Sequence, residues 1–181
     1  MFVNVLVVLA LIVVVLVVVI ALQPAEFRLT RTSTLAAPPA VVFAQVNDLH
    51  KWEAWSPWAK LDPAMKQTYE GAPSGIGAVY AWTGNKKVGT GRMTLTENRP
   101  GEMVRLRLEF LKPFACTNTT EFTFKPEGGR TAVTWTMAGR NNFMGKACGL
   151  VMNVEKMVGA DFEKGLAQLQ AVVEKRTGGT P

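Results

Sequence analysis

Eighteen consecutive apolar residues, Val5 to Leu22, open the chain and limit what it can become. Wound as an α-helix the run would cover roughly 27 Å, close to the hydrocarbon thickness of a bilayer. A cleaved signal peptide would have a basic start, an apolar stretch of about 7 to 15 residues and a small-residue cleavage site. Here no Lys or Arg precedes the run, and it is longer than that. Ten valines among the first 22 residues would suit a buried strand, but strands rarely exceed about ten residues. Residues 1–23 are therefore read as an uncleaved transmembrane anchor, with the membrane partner engaged through residues 1–22. Arg28 and Arg31 follow closely, so the positive-inside bias favours a cytoplasmic position for the rest of the chain.

That rest is sized for one domain. With 181 residues, 48% of them apolar, the chain can fill one ordinary core beyond the anchor. Cys116 and Cys148 form no CxxC and there is a single histidine, so zinc-ligand spacing is absent and both thiols are expected buried and free. No metal and no other cofactor is expected. The net charge of +6 is scattered (Lys86, Lys87, Arg92, Arg105, Arg107, Arg130, Lys146) rather than run together. Such a surface is solvated, with a weak preference for an anionic membrane face, and it argues against a nucleic-acid partner.

Past Gln23-Pro24-Ala25, residues 27–37 alternate loosely as a strand. Pro39 can open a helix because its missing N–H would be unpaired in the first turn anyway, and Val42, Phe43 and Val46 supply the apolar stripe. Pro57 closes that segment. Strands are then expected over 65–70, 77–83 and 88–97, with Gly84-Asn85 as a tight hairpin and Asn98-Arg99-Pro100-Gly101 as a turn. MVRLRLEF, residues 103–110, puts Val104, Leu106, Leu108 and Phe110 on one face and Arg105, Arg107 and Glu109 on the other, the mark of an antiparallel sheet with one covered face. TNTTEFTF and TAVTWTM repeat the pattern. Val154, Val158, Phe162, Leu166, Leu169 and Val173 recur at helical spacing. The order is α+β: a curved antiparallel sheet wrapped around a long C-terminal helix, preceded by one transmembrane helix. Residues 177–181 read as a disordered tail.

Several words in the sequence resemble the START-like (SRPBCC) superfamily in its polyketide cyclase/dehydrase-like branch. They are Ala37-Pro38-Pro39-Ala40-Val41-Val42-Phe43, the stretch Trp52 to Trp58, Gly75 to Trp82, Phe122-Thr123-Phe124 and Met157 to Glu163. The resemblance covers residues 27–175 and assigns 24–176 to one START-like domain. It implies a helix-grip fold with a deep apolar cavity between sheet and final helix, used by different members for lipids, sterols, polyketides or plant hormones. The N-terminal anchor departs from most soluble members and argues against a freely diffusing shuttle, while a tethered domain could still receive, hold or present a lipophilic molecule at the bilayer.

In such folds the cavity mouth lies where Trp52, Trp55 and Trp58 fall at intervals of three. These indoles either plug one end of the core, or one or two of them, Trp55 and Trp58 first, form the wall or lid of a pocket. Strand parity places Tyr80 with Trp82, Phe122 with Phe124, and Trp135 with Val133 and Met137; Phe110 belongs to the inward stripe, and Phe162 and Leu166 come from the helix. Phe143 sits in a junction, residues 140–144, that is a candidate gate. The expected ligand-binding set is thus Trp55, Trp58, Tyr80, Trp82, Phe110, Phe122, Trp135, Met137, Phe143, Phe162 and Leu166. A solid core would read much the same way.

No catalytic residue is assigned. His50 has only Asp48, two residues away, to orient it, and neither Ser56 nor Ser74 lies in a nucleophile-elbow context. The loop Gly71 to Gly77 lacks a P-loop ending and joins two strands. Three functions stay open: a membrane-anchored binding protein for a lipid- or polyketide-like molecule, a cyclase or dehydratase, and a protein-interaction module like the chaperone regulators of a related branch. Oligomeric state is not legible.

Overall fold

A computed structural model describes residues 2–151 and 153–177 of the chain. The expected tail lies outside these residues except for Thr177. The first helix, α1 (Phe2–Leu22), is the one element long and apolar enough to cross a membrane among the described residues. Three residues separate it from β1 (Glu26–Leu35). Then come α2 (Pro39–Val46), a 3-10 helix (Leu49–Ala54), and six strands: β2 (Lys66–Gly71), β3 (Ala78–Thr83), β4 (Thr90–Arg99), β5 (Met103–Lys112), β6 (Cys116–Glu127) and β7 (Arg130–Arg140). Two helices close the chain, α3 (Phe143–Val151) and α4 (Val154–Thr177).

The seven strands form one antiparallel sheet in the order β1-β7-β6-β5-β4-β3-β2. It curves around α4, which gives the α+β helix-grip architecture. Register shifts in β4, at Thr90/Gly91 and Leu95/Glu97, add local bend and twist. The alternation in β5 sorts as its sequence demands. Val104 and Leu106 are buried, while on the outer face Arg105 pairs with Glu97 and with Glu121 (2.7 Å), and Arg107 pairs with Glu109 (2.8 Å). Hydroxyl pairs Thr30–Thr136 (3.1 Å) and Thr32–Thr134 (3.0 Å) continue that wet face across β1 and β7.

At one end of the sheet α2 acts as a plug. Pro38 and Pro39 start it, Val42 and Val46 are fully buried, and the Phe43 ring meets Phe124 edge-on at 5.9 Å. Along α4 the stripe Phe162, Leu166, Leu169 and Val173 is sealed against the sheet. Before Phe162 it is not: Val158 is half-buried, and Val154 and Met157 are exposed. Gly159, with the Arg31 guanidinium against it, is still buried, but the stripe itself loses its cover toward the N-terminus, and space beside it stays open.

The expected tight hairpin at Gly84-Asn85 is corrected. Six residues, 84–89, join β3 to β4; the positive φ belongs to Gly89, and the Asp62 carboxylate accepts the Asn85 N–H at 2.6 Å. A carboxylate from 23 residues upstream thus joins the local turn chemistry of Asn85, whose side-chain oxygen accepts the Lys87 N–H at 2.8 Å and whose carbonyl accepts the Gly89 N–H at 2.8 Å. The 71–77 loop is a wide β2–β3 hairpin, with Gly71, Gly75 and Gly77 at positive φ.

Candidate functional site

The open space is a cavity of about 1200 Å³. Its wall comes from one end of every strand: Phe27 and Leu29 of β1, Met137 of β7, Asn118 and Thr120 of β6, Leu108 and Phe110 of β5, Met93 of β4, Tyr80 and Trp82 of β3, and Gln67 and Tyr69 of β2. Met144 and Cys148 of α3, with Val158 and Phe162 of α4, border the other side. The inward row of β6 shows how one strand serves both core and cavity. Phe122 and Phe124 are buried in packing, whereas Asn118 and Thr120, at the other end of the row, border the cavity.

Two aromatic groups define its ends. Deep in the fold, Trp135 stacks on Phe162 at 4.0 Å with Phe122 at 4.7 Å, and Trp58 meets both Trp135 and Phe162 edge-on at 5.9 and 6.3 Å. Across the wall, Tyr69, Tyr80 and Trp82 follow one another at 5.2 and 5.7 Å, with Phe110 edge-on to Trp82 at 5.9 Å. A glycine makes room for that row. Gly91 is the cross-strand partner of Trp82, and a Cβ there would come within 2.5 Å of the indole, so the ring can lie over the sheet only because position 91 has no side chain. The Trp82 N–H donates to the Val88 carbonyl at 2.9 Å, which fixes its orientation. Gly165 does the same on α4, where a Cβ would press on the Trp135 ring at 2.8 Å.

Of the eleven residues expected to bind ligand, Trp58, Tyr80, Trp82, Phe110, Trp135, Met137 and Phe162 border the cavity. Phe122 and Leu166 are packed solid beside it. Phe143 is exposed at the start of α3, next to Met144, which does border it. Trp55 is corrected from wall or lid to core: it is 0% exposed, its ring lies 4.6 Å from Trp52, and its N–H donates to the Gln45 carbonyl at 3.3 Å. The Trp52 N–H likewise donates to the Val46 carbonyl at 2.9 Å. These bonds to the end of α2 hold both indoles in the core, where Trp52 reaches the cavity border and Trp55 does not; Trp58, past Pro57, borders the cavity too. Residues 140–142 and Met144 of the candidate gate stand on its border. Phe27, Leu29, Met93, Tyr69 and Asn118 were not anticipated; the alternation Phe27/Leu29 and Gln67/Tyr69 carried the signal.

The phenols and one thiol of the wall are held neutral, with the Glu53 carboxylate beside the two tyrosines. Burial first, then the neighbouring Tyr69 and Glu53, pushes the Tyr80 phenol up to about 12. Tyr69 is raised by burial and by the carboxylates of Glu53 and Asp48. Burial also raises the Cys116 thiol, against hydrogen bonds from Asn118 and the Phe110 backbone. Both cysteines are free thiols, half-buried rather than buried, and both border the cavity. Two further polar atoms on cavity-bordering residues, Trp135 Nε1 and Asn118 Oδ1, are buried without hydrogen-bond partners. Charge gathers at the mouth, where Arg28, Arg140 and Lys112 stand with Glu155 and Asp161. His50 is outside the cavity, stacked on Tyr69 at 4.1 Å with Nδ1 3.2 Å from the Asp48 carboxylate. Among the described residues no cluster of His, Cys, Asp and Glu could hold a metal.

A family model described as polyketide cyclase/dehydrase and lipid transport matches residues 26–174. No curated protein matches the chain. Among solved structures, protein CV1439 of Chromobacterium violaceum is 19% identical and superposes with a TM-score of 0.58 over 83% of this chain and 99% of its own. The di-domain ARO/CYC StfQ of the steffimycin biosynthetic pathway is 14% identical, with a TM-score of 0.61 over 85% of this chain and 52% of its own. The Aha1 dimer of Colwellia psychrerythraea, solved in solution, is 12% identical, with a TM-score of 0.59 over 82% and 96%. At these identities the likeness is one of fold.

Proposed function

Because the chain belongs to the polyketide cyclase/dehydrase and lipid transport family, we propose that its cavity binds a hydrophobic small molecule, lipid- or polyketide-like, and that residues 1–22 hold the domain at a membrane. The observation that carries this reading is the aromatic wall held open by Gly91 around about 1200 Å³. That volume exceeds the usual range for small-molecule pockets, about 300 to 1,000 Å³. Transfer of apolar surface into it is worth about 25 cal/mol per Å², and the phenols and the Cys116 thiol, held neutral, add no charge to oppose it, which leaves Glu53 and Lys87, besides the groups at the mouth, as the charged side chains on the border. The unpaired Trp135 N–H and Asn118 carbonyl oxygen favour a ligand with a hydroxyl or carbonyl over a plain hydrocarbon, since each buried unpaired group costs about 1 to 3 kcal/mol.

A cyclase or dehydratase reading draws on one further feature. A phenol with its pKa pushed up to about 12 keeps its proton at neutral pH, so Tyr80 could donate to a substrate carbonyl but could not serve as a base. A separate base would still be required, and binding without chemistry is the simpler reading.

Native mass spectrometry of the detergent-extracted full chain tests it. A co-purified apolar adduct, displaced by a fluorescent fatty-acid probe, is the expected result. A clean mass together with no uptake of fatty-acid or naphthalene-sulfonate probe would overturn the binding function. On orientation, Arg28 and Arg31 after α1 support a cytoplasmic domain. A reporter active only outside the cytoplasm, fused after Pro181, should then be silent, and activity would reverse the assignment.

A further inference from the structure

The exposed apolar side chains are not spread evenly over the domain. Outside α1, the described residues include nine exposed large apolar side chains, and seven belong to three neighbouring segments. Leu111 and Phe114 are at the β5–β6 connection, Phe143, Met144 and Leu150 on α3, and Val154 and Met157 on the first turn of α4, all between 39% and 54% exposed. The segments are joined: Asn142, just before α3, donates to the Ala115 carbonyl at 3.4 Å. All three also contribute to the border of the cavity. The exposed apolar surface is a collar around its mouth.

The collar stands where α1 meets the domain. The cavity wall is drawn from the start of β1 and β6 and the finish of β5 and β7, which is the end of the sheet that α1 enters. Only Gln23, Pro24 and Ala25 intervene between α1 and β1, a reach of about 10 Å when extended. The last turn of α1 is also bound to α3. Lys146 Nζ donates to the Ala21 carbonyl at 2.9 Å, and Ile20, 7% exposed, is the one buried residue of α1. Arg28, Lys112, Arg140 and Lys146 ring the same end, with Glu26, Glu155 and Asp161 the acidic groups among them.

We propose that this collar is a membrane-docking surface, pressed into the leaflet that α1 enters, so that the cavity opens onto lipid rather than water. The inference rests on the reading of α1 as a bilayer span. A bilayer is the occupant the geometry favours, because a span ending within three residues of the collar leaves no room to hold it far from the headgroups. The basic ring suits anionic phospholipid, and an apolar face of this kind buries about 5 to 10 Å into the headgroup/acyl boundary. A hydrophobic ligand would then load from the leaflet without crossing water.

The test uses the full chain in phosphatidylcholine–phosphatidylserine vesicles. With Cys116 and Cys148 replaced by serine, single cysteines at Val13, Phe114, Leu150 and Glu127 each receive an environment-sensitive nitrobenzoxadiazole label. All four native side chains are exposed, so the labels displace no core packing. Lipids spin-labelled at shallow and deep acyl positions then report contact. The expected result is strong quenching at Val13, and at Phe114 and Leu150 quenching several-fold above that at Glu127, which lies in the β6–β7 turn at the opposite end of the sheet. Quenching at Val13 with none above the Glu127 level at Phe114 and Leu150 overturns the docking surface and leaves the anchor standing. No quenching at Val13 overturns the anchor and the docking with it. Rim labels shielded from an aqueous quencher yet untouched by spin-labelled lipid would mean that a second copy covers the collar, which also overturns the proposal.

Discussion

The two ends of the sheet are made from the same strands and covered by the same helix, yet one is solid and the other hollow. At the solid end, Val133 of β7, Phe122 and Phe124 of β6, and Leu166, Leu169 and Val173 of α4 close on one another and on α2. At the hollow end the same strands present Met137, Asn118, Leu108 and Tyr80 to space. Hydrophobicity does not separate them, since both ends are rich in aromatic side chains. What differs is the cover. α2 and the sealed stripe of α4 fill one end, whereas that stripe loses its cover before Phe162 and α3 closes the other end only partly.

The sharpest way to break this comparison is to truncate one tryptophan from each side of the boundary. Trp55→Ala removes a fully buried ring and should cost about 3 to 5 kcal/mol in thermal and urea unfolding of the full chain in mild detergent, with little change in probe affinity for the protein that remains folded. Trp58→Ala should do the reverse. Its half-buried indole faces the cavity, so probe affinity should fall roughly tenfold, about 1.4 kcal/mol, for a stability loss of about 1 kcal/mol. Equal losses in both measurements for both variants would erase the boundary between core and cavity.

A smaller effect sharpens the hollow side. Tyr80 holds its proton to about pH 12 in the folded chain, against about 10 for an ordinary phenol. Between those values the unfolded chain binds fewer protons than the folded one, so stability is fully present below about pH 10 and falls as pH rises toward about 12. Tyr80→Phe should flatten part of that fall in urea midpoints taken across the window, with Tyr69 accounting for some of what is left. An unchanged slope in Tyr80→Phe would mean that this wall is fully wet.

The sheet and the last helix were legible because their residues carry strong periods: MVRLRLEF alternates without a break, and Phe162, Leu166, Leu169 and Val173 stay on one stripe. Cavity against core was not legible, because parity assigns a face and not a depth. Phe122 and Asn118 share the inward face of β6, yet only Asn118 borders the cavity. Nor did spacing separate Trp55 from Trp58. What separates them is the hydrogen bonds that Trp52 and Trp55 make to carbonyls of α2, six and ten residues back in the chain. The turn at 84–89 was only partly legible for a similar reason: Asn85 acts locally, but Asp62 holds the loop from outside the local sequence. Gly91 was overlooked because a glycine in a strand announces a close approach without saying what approaches.

The sheet is open and has two edge strands, β1, which packs on α4, and β2. β2 is its last strand and bonds only to β3, so a line of backbone donors and acceptors faces outward. Such an edge is a template for strand addition by another chain. On a membrane the hazard would grow, since tethered molecules share one plane and one orientation and meet edge to edge far more often than in solution. β2 answers with brevity and charge: it is six residues long, and Lys66 and Glu70 stand exposed near its two ends. If α1 holds the chain in a bilayer as proposed, crowding at that surface, more than stability in dilute solution, is the condition under which that short charged strand would matter.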